Sequence, residues 1–166
     1  MLLTIPGKPF IYQGEELGYW GSKDGGDEYV RTPILWDKAG KQCARNGINN
    51  KVDNAMLTAD ISVEAQQAND ASILNVYKKF GTARNASKAL SKGTIKEVKS
   101  SDGAVALWEM ACDGEKVLVA HNFRGSTVTV PLSGYSTENV LVANGSISKA
   151  SNGITMGAYS SVVYKQ

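Results

Sequence analysis

A chain of 166 residues with 42% hydrophobic and 20% charged residues has the composition of an ordinary globular protein, long enough for one domain or one small domain with an appendage. Its net charge of +2 is small and evenly spread, which excludes a surface built for nucleic acid or for an anionic membrane. No run approaches the ~18 apolar residues of a membrane span, and Met1-Leu2-Leu3 lacks the basic start and long apolar centre of a signal peptide.

In chain order, residues 1–5 read as the end of a helix that Pro6-Gly7 breaks. Pro9 to Tyr12 (PFIY) follows, an apolar run rich in aromatic and β-branched residues, with Gly7 and Pro9 before it and Gly14 after. It shows no polar alternation, so it predicts a strand of a parallel sheet buried on both faces. Glu15 and Glu16 stand at its C-terminal end. Neighbours on a strand point to opposite faces, so this pair is not placed to flank one scissile bond. One is expected to face inward and accept hydrogen bonds, the other to cap a nearby loop or helix. Residues 18–30 (GYWGSKDGGDEYV) are rich in glycine and acid. Asp24, Asp27 and Glu28 do not follow the spacing of a calcium-binding EF-hand, and a solvated surface loop is predicted. Arg31 opens the segment RTPILWD, which holds Trp36 and Asp37. Residues 38–68 are polar and irregular, and loops of that length are functional or disordered.

A helix is predicted from Asn69-Asp70, either of which can accept from the free N–H groups of the first turn. Ile73, Leu74, Tyr77 and Phe80 form its apolar stripe, and Lys78, Lys79 and Arg84 suit its C-terminal end. A short second helical turn, Ser87 to Leu90, closes at Gly93. From Thr94 the pattern becomes that of strands: TIKEVK, AVALWEMA, KVLVAHN, TVTVP, NVLVA, GITM and SSVVYK. Asp113-Gly114 signals a hairpin between the second and third. Short strands at this spacing predict an antiparallel β-sandwich, with a domain boundary near residue 92.

GKPFIYQGEELG resembles, position for position, the G-x-P-x-I-Y-x-G-E-E pattern of the eighth barrel strand in the α-amylase family, glycoside hydrolase family 13. RTPILWD is similar to the R-T-P-x-x-W-D segment in the loop that follows, and GAYSSVVYKQ to the last strand of the family's domain C. Within the family the chain looks most like the outer-membrane α-amylase of bacterial starch-utilisation systems. The resemblance implies a mainly β chain with an α/β N-terminal remnant. Residues 1–92 would be the end of a (β/α)8 barrel, comprising strand eight, a long loop and the last helix. Residues 93–166 would be the Greek-key β-sandwich of domain C. A whole barrel needs roughly 250 residues, so only its tail fits here.

Family members cleave α-1,4-glucosidic bonds with retention, which requires two carboxylates about 5 Å apart across the bond. In the family these acids lie on earlier barrel strands, so the resemblance implies no catalytic residue here and a chain inactive alone. It implies that Arg31 lies at the rim near bound glucose, where it could hold sugar hydroxyls or a rim carboxylate; a plain loop salt bridge is the alternative. Tyr19 and Trp20 could stack on sugar faces. Gly7, Pro9, Gly14, Glu15, Glu16, Trp36 and Asp37 would be structural, Trp36 as the anchor of its loop. The implied partner of the parent is an α-glucan, and the parent would be exported to the cell surface or periplasm. No cofactor is implied, though calcium is possible in the parent.

His121, the only histidine, has no ligand or triad spacing around it and reads as structural. Cys43 and Cys112 make no metal motif and are expected to be free thiols. The isolated apolar run at residues 10–12 predicts self-association. Two further readings stand beside the fragment: a carbohydrate-binding module built on the sandwich, and a structural module. A binding module needs aromatics on one surface, and of the sandwich aromatics Trp108, Phe123, Tyr135, Tyr159 and Tyr164 two lie within apolar strands.

Overall fold

The computed structural model describes residues 1–40 and 58–166. They form two compact units, one made of Met1–Pro9 with Lys79–Gln166 and the other of Phe10–Lys78. Cys43 lies outside the described residues.

The first unit contains eight strands: β1 (Thr94–Glu97), β2 (Val105–Cys112), β3 (Glu115–Asn122), β4 (Val128–Pro131), β5 (Val140–Asn144), β6 (Ile147–Ala150), β7 (Gly153–Met156) and β8 (Ser161–Lys165). Five pair in the order β1-β2-β3-β8-β5 and three in the order β4-β7-β6, all antiparallel. The β2–β3 hairpin turns on Asp113 and Gly114, with φ of 51° and 81°. Positive φ at both central residues is the type I′ geometry that matches the twist of the flanking strands. One face of the larger sheet meets the smaller across a core of Val105, Leu107, Leu118, Val130, Ile154 and Met156. The predicted sandwich is therefore present. Strand β6, Ile-Ser-Lys-Ala, is additional to the seven predicted, because its two apolar residues, Ile147 and Ala150, are three apart and give no alternation to read.

The larger sheet is covered on its second face too, which is why β3 is buried continuously from Val117 to Asn122. Helix α3 (Lys88–Lys92) packs on β2 and β3. The N-terminal stretch crosses the same face: Trp108 Nε1 donates to Thr4 O at 3.0 Å, and His121 Nε2 lies 2.9 Å from Thr4 Oγ1. Arg84 holds that stretch from the other side, donating to the carbonyls of Leu3, Ile5 and Gly7 at 3.1, 2.9 and 2.5 Å. Asn122 ties a turn together, donating to Ser126 O and Gly157 O and accepting from Arg124 N.

The second unit is built from short 3-10 turns (Glu15–Leu17, Lys23–Gly25, Asp27–Val30 and Ala59–Ile61) and α1 (Val63–Gln67). It also holds the first part of α2 (Ile73–Ala86). Residues 9–12 form no strand here. Phe10 is 90% exposed, and every strand pair among the described residues is antiparallel and lies in the other unit. A strand exists only through its neighbours, and a strand of a parallel sheet has none in these residues. Helix α2 starts at Ile73, later than Asn69-Asp70 suggests. Ser72 accepts from Asn75 N at 3.1 Å and caps it, while Asn69 caps only its own turn through Ala71 N.

Candidate functional site

The turn after residues 9–12 organises the site. Gly14 adopts φ 90°, and a Cβ there would come within 2.8 Å of the Tyr19 ring, so only glycine fits both the left-handed backbone and the ring. The chain then folds into the 3-10 turn Glu15–Leu17. Glu15 and Glu16 are thus on a turn and not on a strand, and their carboxylates cap that turn: Glu15 Oε2 accepts from Tyr12 N at 3.3 Å and Glu16 Oε2 from Gly14 N at 3.0 Å. Glu15 Oε1 also accepts a hydrogen bond from the Tyr77 hydroxyl. Burial, that hydrogen bond and the charges of Glu15 and Glu16 push the Tyr77 hydroxyl up to about 12.

Gln66 joins the turn to the helices. Its side chain donates to Leu17 O at 2.7 Å and accepts from Leu74 N at 3.0 Å. Tyr19 is fixed at both ends, its ring against Gly14 and its hydroxyl accepting from Leu35 N at 2.7 Å. Leu35 is fully enclosed, and its carbonyl and that of Trp36 accept from Val63 N and Glu64 N. The apolar anchor of this loop is therefore Leu35. Trp36 is 55% exposed among the described residues, which hold no barrel for it to pack against. Asp37 is half-buried, with its carbonyl closing a turn onto Gly40 N.

These supports shape a cleft of about 720 Å³, lined among others by Tyr12, Glu15, Tyr19, Trp20, Asp27 and Arg31. The three residues singled out as sugar contacts, Tyr19, Trp20 and Arg31, share this one concavity with Glu15. Trp20 is exposed. Arg31 donates to Asp27 at 3.1 Å, and Lys23 lies 3.3 Å from the same carboxylate. The loop salt bridge is thus formed, in a setting open to solvent where such a pair contributes little and can exchange for a ligand. Aromatic faces, a fork of donors and carboxylate acceptors are a set suited to a neutral polyhydroxylated ligand. Gly7 and Pro9 belong to the other unit; Gly7 has φ 99° and its carbonyl meets Arg84.

Asp27 is already engaged by two cations, and no three His, Cys, Asp or Glu side chains converge on a metal position among the described residues. The residues of this loop do not fit a calcium site. His121 is enclosed between Thr4 Oγ1 and Ser161 Oγ, at 2.9 and 2.6 Å, and tilts against Trp108. Gln66, Tyr77, Arg84 and Glu115 have roles that the sequence does not announce. Their partners lie from 8 to 81 positions away, beyond any local pattern.

The family model described as the alpha amylase catalytic domain matches residues 1–93, and the one described as the alpha-amylase SusG C-terminal domain matches residues 105–163. Alpha-amylase SusG of Bacteroides thetaiotaomicron is 39% identical over 176 residues, covering 99% of this chain and 25% of that protein. Alpha-amylase 3 of Dictyoglomus thermophilum is 32% identical over 170 residues, covering 98% of this chain and 32% of its own length. The chain therefore spans about a quarter to a third of these curated relatives. Among solved structures, the trehalulose synthase MutB from Pseudomonas mesoacidophila MX-45 superposes with a TM-score of 0.79 at 22% identity, covering 99% of this chain and 36% of that one. Eubacterium rectale Amy13B gives a TM-score of 0.79 at 22% identity, covering 99% of this chain and 32% of its own. Those two likenesses establish the fold alone. In sequence and in fold, the chain belongs to the α-amylase family, glycoside hydrolase family 13.

Proposed function

We propose that this chain is the C-terminal part of a retaining α-amylase acting on starch and related α-1,4-glucans, and that it supplies the rim of the sugar site without the cleaving carboxylates. The observation that carries this reading is the cleft in which Tyr19, Trp20 and Arg31 lie beside Glu15. Trp20 and Tyr19 offer ring faces to the apolar side of a glucosyl unit, and Arg31 exchanges Asp27 for sugar hydroxyls. Residues 1–92 are the barrel remnant and 93–166 domain C. This is a division by ancestry; by packing, residues 1–9 and 79–92 go with the sandwich. The parent is exported, to the cell surface or periplasm. The isolated chain self-associates through Phe10, Ile11 and Tyr12, which are all exposed.

Hydrolysis tests the first part. The purified chain is expected to release no reducing sugar from amylose above a blank, because Glu15 and Glu16 both serve their own turn. Release that disappears in Glu15→Gln or Glu16→Gln would overturn it. The rim assignment is tested in the longer protein that carries the catalytic acids. There, Arg31→Ala and Trp20→Ala should each lower kcat/KM on maltoheptaose by about tenfold, the loss expected for one stacking or charge-assisted contact. Unchanged kinetics in both would remove the cleft from the reaction.

A further inference from the structure

A second concave site, on the sandwich, has no part in that reading. The stretch from Leu132 to Glu138, which joins β4 to β5, and the β6–β7 hairpin enclose a pocket of about 480 Å³. Tyr135, Ser136, Thr137, Glu138, Lys149 and Asn152 line it. None of these residues belongs to the cleft or to its unit.

The pocket is held open by its own framework. Leu132 N donates to Asn152 O at 2.9 Å, joining its two walls. Gly134 takes φ 81°, which turns the chain sharply ahead of Tyr135. Gln166 clamps Ser136 twice, accepting from its N–H at 2.9 Å and donating to its carbonyl at 3.1 Å. Tyr135 packs against the sandwich core and gives the rest of its ring to the pocket. Glu138 and Lys149 form an ion pair. The Tyr135 hydroxyl and the Asn152 carboxamide have no hydrogen-bond partner among the described residues.

The chemistry of this lining selects a ligand class. The one anion and the one cation cancel, so the pocket has no net charge to draw a phosphate, a carboxylate or a metal ion. What remains is a fixed aromatic edge, hydroxyls and an amide. An aromatic surface meets the C–H face of a pyranose, and uncommitted donors and acceptors meet its hydroxyls. We propose that this pocket is a non-catalytic binding site for a short α-glucan segment, with Tyr135 as the stacking residue and Asn152 and the Glu138–Lys149 pair as hydroxyl contacts. The choice of an α-glucan rests on the function proposed above; the choice of a neutral sugar rests on the lining alone.

Titration of the 15N-labelled chain with maltoheptaose, followed amide by amide, tests it. Saturable shifts are expected at residues 133–138 and 149–153. Tyr135→Ala should weaken them about tenfold, the loss typical of one aromatic contact. Because Tyr135 also packs on the core, Asn152→Ala serves as a second variant and should weaken binding with an otherwise unchanged spectrum. The proposal is overturned by the absence of shifts at those residues, by equal affinity in both variants, or by an equal response to cellohexaose. Shifts at residues 12–32 report on the cleft separately, so failure of either site is read independently of the other.

Discussion

His121 sits in a position that disfavours a positive charge. Its ring is 2% exposed, and burial, helped by repulsion from the Met1 amino group, pushes its pKa down from 6.5 to about 3. The protonated form therefore belongs to the unfolded chain. The stability that follows is complete above pH 6.5, declines as pH falls below that value, and is fully lost by about pH 3. His121 is the only histidine, so between pH 6.5 and pH 5, before most carboxylates titrate, it dominates the change. Unfolding free energy from urea titrations should fall by about 2 kcal/mol across that interval. His121→Gln should flatten the dependence there, and a flat profile in the unmodified chain would contradict the burial argument. That His121 is structural was legible from its isolation in the sequence. Its two hydroxyl partners were not, because Thr4 is 117 positions away.

At the level of elements, α3 has only five residues and does not persist without help. Its first turn is satisfied twice. Ser87 Oγ accepts from Leu90 N at 3.1 Å and donates to Glu115 Oε1 at 2.6 Å. Glu115 Oε2 accepts from Lys88 N at 2.9 Å and from Ala89 N at 3.4 Å. The Ser87 hydroxyl and these N–H groups, with distant Lys165, hold the Glu115 carboxyl below its ordinary range against the opposing effect of burial. A depressed folded pKa gives stability that is present above the unfolded value of about 4.3 and lost as pH falls through the folded one. Glu115→Gln, which keeps the shape and removes the charge, should cost about 1 kcal/mol at pH 7 and less at pH 2.5. An equal cost at both pH values would assign the effect to packing. Elements of this kind divide by legibility. Ser87 and Gly93 bracket α3 as a cap and a stop do in sequence. The Asp113-Gly114 turn was equally plain, since positive φ at two residues restricts the choice of side chain. Residues 9–12 misled because their composition records a sheet whose other strands are not among these residues.

For the molecule as a whole, residues 10–12 are a run of three consecutive exposed large apolar side chains among the described residues. Phe10, Ile11 and Tyr12 are 90%, 46% and 63% exposed, and three such side chains in a row are an association surface. Light scattering at tens of micromolar should give a mass above that of one chain, and Phe10→Asp with Ile11→Asp should return it to 17.7 kDa. A monomeric mass for the unmodified chain would end this expectation. Substitution is the proper probe, since deleting the N-terminal stretch would strip Thr4 from His121 and Trp108.

The clamp of Arg84 on the carbonyls of Leu3, Ile5 and Gly7 bears on how such a chain could grow. It brings together the two points where the backbone leaves the sandwich unit and re-enters it, so the roughly 70 residues between them are topologically an insertion. Closing a loop costs free energy only as the logarithm of its length, about 0.6 kcal/mol for each doubling. A fold with such a doorway can therefore exchange or lengthen the inserted part at little thermodynamic cost. Its own integrity depends on nine residues at one end of the chain finding the other end.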